Sequence, residues 1–218
     1  MILGVIPARG GSKGIPGKNV MPVGDCPLIA WTIDAAVQSQ LLDRFVVSTE
    51  DEEIGRVAQS WGAEVLPRPR DLADDDTPTI SVLQYVLQEI PADVLVLLQP
   101  TSPVRGPGLI DRCIQQFTEA GADSLATGFI CKYAEYGKRK NLPRQKLAGF
   151  FYDDGNVYVF RSELIKGGDL SGEKIERVFL DKEESVDIDE PFDMWLAEQV
   201  LLKRIREGDI RKPDLNGD

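Results

Sequence analysis

The sequence predicts an α/β fold, a doubly wound and mostly parallel sheet in a single domain over residues 1–218. Two observations carry that reading. Short β-branched runs alternate with segments of helical periodicity, the pattern of strands joined by crossover helices. One run, Val94-Leu95-Val96-Leu97-Leu98, is apolar at every position, as a central parallel strand covered on both faces must be.

The elements follow in order. Ile2 to Ile6 reads as the first strand and opens into a glycine-rich loop. Asp25-Cys26-Pro27 starts a helix through about Gln38, with Pro27 in the first turn, where its missing N–H costs nothing. Phe45 to Ser48 is the second strand. Asp51 to Trp61 is a helix whose acidic first turn suits the positive end of its dipole, and Gly62 ends it. A short strand at Glu64 to Leu66 leads through Arg68-Pro69 into an acidic loop, Asp71 to Asp76, and Thr77-Pro78 begins the next helix. After Arg105 come a helix from Leu109 to Ala120 and a strand near Ser124 to Thr127. Lys132, Lys138, Arg139, Lys140, Arg144 and Lys146 then form a cationic stretch followed by Phe150-Phe151-Tyr152, read as a projecting arm at about 132–152. Order returns with Asn156 to Phe160 and then Glu184 to Asp187. A last helix runs from Pro191 to about Arg206 with Phe192, Leu196 and Val200 on one stripe beside Trp195; Gly208 stops it.

Composition excludes several classes. A formal charge of -11 opposes a nucleic-acid surface, and no apolar run approaches the roughly 20 residues of a membrane span. Met1 leads straight into a strand without a basic leader, so a cytoplasmic location is expected. Three dispersed cysteines imply reduced thiols, not a disulfide framework or a zinc site. The absence of histidine removes His-based triads and His-ligated metals, leaving carboxylates to hold a hard cation.

The chemistry begins in the first loop. In Pro7-Ala8-Arg9-Gly10-Gly11-Ser12-Lys13-Gly14-Ile15-Pro16-Gly17-Lys18-Asn19, glycines let backbone N–H groups approach phosphate oxygens, and Arg9, Lys13 and Lys18 supply charged donors for a polyphosphate. The spacing is neither a Walker loop nor a dinucleotide fingerprint. The loop follows a strand's carboxyl end, where open α/β sheets bind ligands. Asp187 and Asp189, at i and i+2 of an extended stretch, face one way and can share a divalent cation. Asp189-Glu190-Pro191 also reads as a helix start. Gln99-Pro100-Thr101-Ser102-Pro103 predicts a rigid turn at the end of the central strand.

The loop residues Ala8, Arg9, Ser12, Lys13, Lys18 and Asn19 fill an Ala-Arg-x-x-Ser-Lys-x-x-x-x-Lys-Asn signature. Further blocks fall in order at Val47 to Asp51, Gly62 to Val65 with Arg68-Pro69, Leu98 to Arg105, and Ser185 to Asp189. On these blocks, which cover nearly the whole chain, the sequence resembles the acylneuraminate cytidylyltransferases. The resemblance implies transfer of CMP from CTP to the anomeric hydroxyl of an acidic nine-carbon α-keto acid sugar, with Mg²⁺ and pyrophosphate release. It assigns Arg9 and Lys18 to the leaving phosphates, and Ala8, Gly10, Gly11, Ser12, Lys13, Asn19, Arg68 and Ser81 to the nucleotide. Arg68, between two prolines, equally fits a surface arginine. Asp187 and Asp189 would hold the metal, and Gln99, Ser102, Arg144, Gln145 and Tyr158 the sugar, with Arg144 on its carboxylate. Relatives use the arm to form a homodimer. Asp154-Gly155-Asn156-Val157-Tyr158 departs from the family's Asn-Gly-Ala-Ile-Tyr at Asp154 and Asn156, and Ala148 replaces a proline after Arg144-Gln145-x-Leu147. Kdo cytidylyltransferase chemistry, guanylyl transfer to legionaminate, and a catalytically silent CTP-sensing module are the alternatives.

Overall fold

A computed structural model describes residues 1–12, 14–135 and 143–214. The chain builds β1 (Ile2–Pro7), a short hairpin of β2 (Pro22–Val23) and β3 (Cys26–Pro27), α1 (Leu28–Gln38), β4 (Arg44–Thr49), α2 (Glu52–Ser60), β5 (Glu64–Pro67), α3 (Thr79–Glu89) and β6 (Val94–Leu97). It continues with α4 (Leu109–Ala120), β7 (Ser124–Cys131), β8 (Phe150–Arg161), α5 (Ser162–Lys166), β9 (Ile175–Phe179) and α6 (Pro191–Glu207).

Seven strands form one sheet in the order β5-β4-β1-β6-β8-β7-β9. Pairing is parallel from β5 to β6 and again between β7 and β9; β8 alone runs against its neighbours. The sheet is therefore mostly parallel, with helices on both faces. Alternation along β1 sends Ile6 to a core shared with α1, α2 and α4, while Leu3 and Val5 face α3 and α5. A third apolar cluster joins Ile15, Trp31, Val104, Val186, Ile188 and Leu201, and so packs α6 beside the β2–β3 hairpin and the segment that carries Asp187. The three cysteines are free and buried. Among the described residues, no helix is long and apolar enough to cross a membrane.

Some elements differ from expectation. Pro27 is not in the first turn of α1; it closes the two-residue strand β3 and sits at the N-cap, because Gly24 and Asp25, both at positive φ, turn the chain into a hairpin first. Glu184 to Asp187 carries no regular secondary structure, and the edge of the sheet is filled by β9 instead. On α6, Ala197 and Leu201 are the buried positions, whereas Phe192 and Trp195 are exposed and tilt against each other at 5.6 Å. The arm begins as a continuation of β7 and β8: Gly128 to Cys131 pairs with Phe150 to Asp153. Lys138, Arg139 and Lys140 lie outside the described residues.

One topological fact positions the site. The chain leaves β1 toward β4 on one side, and the next strand added on the other side is β6, so the loops after β1 and β6 diverge and leave a crevice between them.

Candidate active site

That crevice is a cleft of about 320 Å³, lined by Arg9, Gly11, Ser12, Lys18, Asn19, Arg68, Gln99 and Thr101 among others. Its floor is the loop after β1. Ala8 is buried and donates its N–H to the Ser48 carbonyl (3.0 Å). Gly10 donates to Glu50 Oε1 (2.7 Å), and a side chain at Gly10 would run into the Asp51 carboxylate. Gly17, at positive φ, precedes a single 3₁₀ turn over Lys18–Val20. The turn buries Asn19, whose amide donates to the Arg9 carbonyl (3.0 Å), so Asn19 shapes the loop from inside. Lys13 lies outside the described residues.

The charged groups converge from three segments. Lys18 Nζ donates to the Ile188 carbonyl (2.5 Å), between the two aspartates. Burial lowers its pKa, and Asp189 and Asp187 oppose that shift. Burial raises Asp187, with the neighbouring Asp189 adding to the effect and the Thr101 and Ser102 hydroxyls and Lys18 offsetting it. Ile188 N–H donates to the Thr101 carbonyl (2.9 Å), which fixes the carboxylate segment against the turn after β6. Asp193 accepts the N–H groups of Asp189 and Glu190, and Glu190 is the N-cap of α6 in a capping box. The helix start is thus real, with Asp189 left outside the cap. Among the described residues, no group of three or more His, Cys, Asp or Glu could hold a metal. Two carboxylates beside a glycine-rich loop do suit Mg²⁺, which takes one or two carboxylates and fills the rest of its shell with waters and phosphate oxygens.

Arg9 makes an ion pair with Asp75 of the acidic loop (2.8 Å). Arg68 is not a surface arginine: Nε and Nη2 both reach Glu50 Oε2, at 3.0 and 2.9 Å. Ser102 is fully buried and does not face the cleft; its hydroxyl donates to the Asp154 carbonyl (3.0 Å) and lies 3.4 Å from Asp187 Oδ1. Ser81 lines a neighbouring acidic depression with Asp71, Asp74, Asp75 and Asp76, while Thr77, Thr79 and Val82 line the cleft.

Gln99 and Thr79 also border a second depression of about 390 Å³ on the open sheet face. Register places Leu97, Tyr158, Ala126 and Arg177 side by side across four strands, and the small Ala126 makes a trough between the ring and the guanidinium. Burial raises the pKa of Tyr158, and the hydrogen bond its hydroxyl donates to Asp153 (2.7 Å) adds to the shift. Arg177 lies over the Phe151 ring (5.5 Å). Gln145 lies apart from both depressions, in a hollow of the arm with Phe129, Tyr133 and Lys182. Arg144 begins a 3₁₀ turn there, and its side chain lies outside the described residues.

Sequence reading missed Glu50, Arg105, Asp153 and Arg177. Arg105, deeply buried, holds the 99–105 turn by donating to Thr32 Oγ1 (2.6 Å) and to the carbonyls of Gln99 (2.7 Å) and Asn156 (2.8 Å). The cue for Glu50 was its place directly after a strand, next to a helix cap.

A family model described as Cytidylyltransferase matches residues 3–165 of the chain. The chain belongs to that family. It is 35% identical to N-acylneuraminate cytidylyltransferase A of Danio rerio over 93% of its own length and 51% of the relative's, so it spans about half of that protein. It is 32% identical to CMP-N,N'-diacetyllegionaminic acid synthase of Legionella pneumophila, covering 92% of this chain and 96% of the relative. Among solved structures it is similar to CMP:2-keto-3-deoxy-manno-octonic acid synthetase complexed with CTP, with a TM-score of 0.75, 16% identity, and coverage of 93% and 99%. The chain thus shares the family's fold, with a glycine-rich loop after β1, the Asp187–Asp189 segment beside Lys18, and an open trough bordered, like the cleft, by Gln99.

Proposed function

We propose that the protein transfers CMP from CTP to the anomeric hydroxyl of an acidic nine-carbon α-keto acid sugar, releasing pyrophosphate. The observation that carries the reading is the convergence of Arg9 and Lys18 on the cleft at the β1–β6 divergence, with Lys18 bonded to the Ile188 carbonyl and so drawn against the segment that carries Asp187. The triphosphate lies along the β1 loop, where Arg9, Lys18 and the N–H groups near Gly11 and Ser12 hold the phosphates. As the bond to the leaving pyrophosphate breaks, Lys18 stabilises the growing charge from a half-buried position where its field is stronger than in water. The acceptor sugar occupies the trough, with Gln99 and Tyr158 on its hydroxyls and Arg144 from the arm on its carboxylate, so that its anomeric hydroxyl faces the α-phosphate. Asp187 and Asp189 would hold Mg²⁺, which supplies charge neutralisation at the phosphates and acidifies the attacking hydroxyl. The protein acts in the cytoplasm as a homodimer. The hairpin formed by the outer ends of β7 and β8, at the base of the arm, leaves Ile130, Tyr133, Phe150 and Tyr152 exposed, an apolar surface of the kind that marks a protein interface.

Pyrophosphate release with CTP, GTP, UTP and ATP against a panel of nonulosonic acids and Kdo tests the reaction. The expected result is turnover with CTP and a nine-carbon acid, abolished by Asp187→Ala and by EDTA. Undiminished release in either case refutes the metal assignment, and absence of turnover with every pair refutes the enzyme.

A further inference from the structure

The register of β7 against β8 jumps from Ala126↔Tyr158 to Gly128↔Asp153, so Thr127 alone faces the four residues Asp154 to Val157. All four are buried. A bulge of this width redirects side chains out of the sheet. Thr127 closes it, donating to Asp154 Oδ1 (2.6 Å) and accepting from Val157 N–H (2.9 Å). Gly155, at positive φ, is pressed against the turn after β6: a side chain there would meet Ser102 Oγ at 3.0 Å and Gln99 Oε1 at 3.1 Å.

Two buried polar side chains of the bulge, Asp154 and Asn156, both reach the segment preceding Asp187. Asp154 Oδ2 accepts from the Ser185 hydroxyl (3.0 Å). Asn156 Nδ2 donates to the carbonyls of Glu184 (3.0 Å) and Val104 (3.1 Å). Asn156 Oδ1 has no partner among the described residues, so the amide acts here through its donors. Ser102 adds a third link, touching both the Asp154 carbonyl and Asp187. Residues 184–187 have no strand or helix of their own to hold them, and their polar anchors include this bulge.

We propose that Asp154 and Asn156 are positioning residues that fix the Asp187 carboxylate for its cation. The proposal rests on the assignment of Asp187 as a metal ligand. It extends the ordinary logic of outer-shell partners, which orient a ligand by hydrogen bonding and whose loss weakens metal affinity about 10–100-fold.

The test is titration of Mn²⁺ by electron paramagnetic resonance in the presence of CTP and without acceptor, so that no turnover occurs, alongside thermal unfolding. Asp154→Ala and Asn156→Ala are expected to raise the Mn²⁺ dissociation constant about 10–100-fold. Excess metal should then restore most of kcat when acceptor is added. Asp154→Asn keeps an oxygen for Thr127 and the Asn156 N–H but loses the acceptor for Ser185, and should fall between Asp154→Ala and wild type. Ser185→Ala removes the same link from the partly exposed side, and decides the matter if Asp154→Ala does not fold. Ile33→Val, which loosens a different layer, should leave Mn²⁺ binding unchanged. If Ser185→Ala and the bulge variants all bind Mn²⁺ within twofold of wild type while Asp187→Ala does not bind it, the positioning role is overturned and the metal site stands. If Asp187→Ala itself binds Mn²⁺ like wild type, the metal assignment fails and the proposal with it.

Discussion

Both carboxylate oxygens of Glu50 are committed to the frame of the loop after β1, one to Gly10 N–H and the other to the Arg68 guanidinium. The Arg68 side chain is 3% exposed and that of Glu50 13%, so Glu50→Ala leaves a buried cation without its partner. The expected cost is about 3–5 kcal/mol by chemical denaturation, with a raised KM for CTP as the loop loosens. Unchanged stability would mean that Arg68 has another partner to turn to. Lys18→Ala should lower kcat and kcat/KM together by about 10²-fold or more, the scale of a lost donor to developing charge. If only the KM for CTP rises in steady-state assays, Lys18 is a ground-state anchor. The two residues differ in how far sequence could reveal them. Lys18 stands in a contiguous run of glycines and cations, whereas Glu50 acts through partners 40 residues before and 18 residues after it, a pairing only the folded chain creates.

The acidic loop between β5 and α3 brings Asp75 onto Arg9, so a carboxylate sits where a phosphate oxygen is expected. Asp75→Ala should therefore lower the KM for CTP several-fold with little change in kcat, most visibly at low ionic strength, because both partners are about one-third exposed. A higher KM would assign Asp75 to nucleotide binding instead. Elements with a strong local signal were legible in the sequence: α4 spans the expected Leu109 to Ala120, and β1 and β6 are buried runs within one residue of expectation. Those that depend on tertiary pairing were not. β9 has a mostly exposed side-chain row, with Ile175, Arg177 and Phe179 facing out and Val178 buried, and it exists because β7 supplies its hydrogen bonds. The bulge in β8 is likewise invisible to periodicity, since the run from Asn156 to Phe160 reads as an ordinary strand.

Taken as a whole, the molecule packs helices on both faces of its sheet but leaves the trough over β6 to β9 open, with aromatic surface on the β7–β8 hairpin, at Tyr133, Phe150 and Tyr152, and on the β9 end, at Phe179. If a second copy covers the hairpin, Phe150→Asp and Tyr152→Asp should shift the mass seen by light scattering from dimer to monomer while leaving thermal unfolding of the fold cooperative. A wild-type monomer at assay concentration would refute the dimer. The trough was only half legible at this scale: Tyr158 and Gln99 were expected, while Arg177 came from a strand no local pattern marks. The buried thiols give the fold one more property. Cys113 belongs to the buried face of α4 in the central core, its pKa pushed up to about 12 by burial; Cys26 sits in the α6 cluster; Cys131 sits where the β7–β8 hairpin leaves the sheet. Each reports on a different region, so the order in which an alkylating reagent reaches them in the native protein would time the opening of the hairpin, the α6 flank and the central layer separately, with no label introduced.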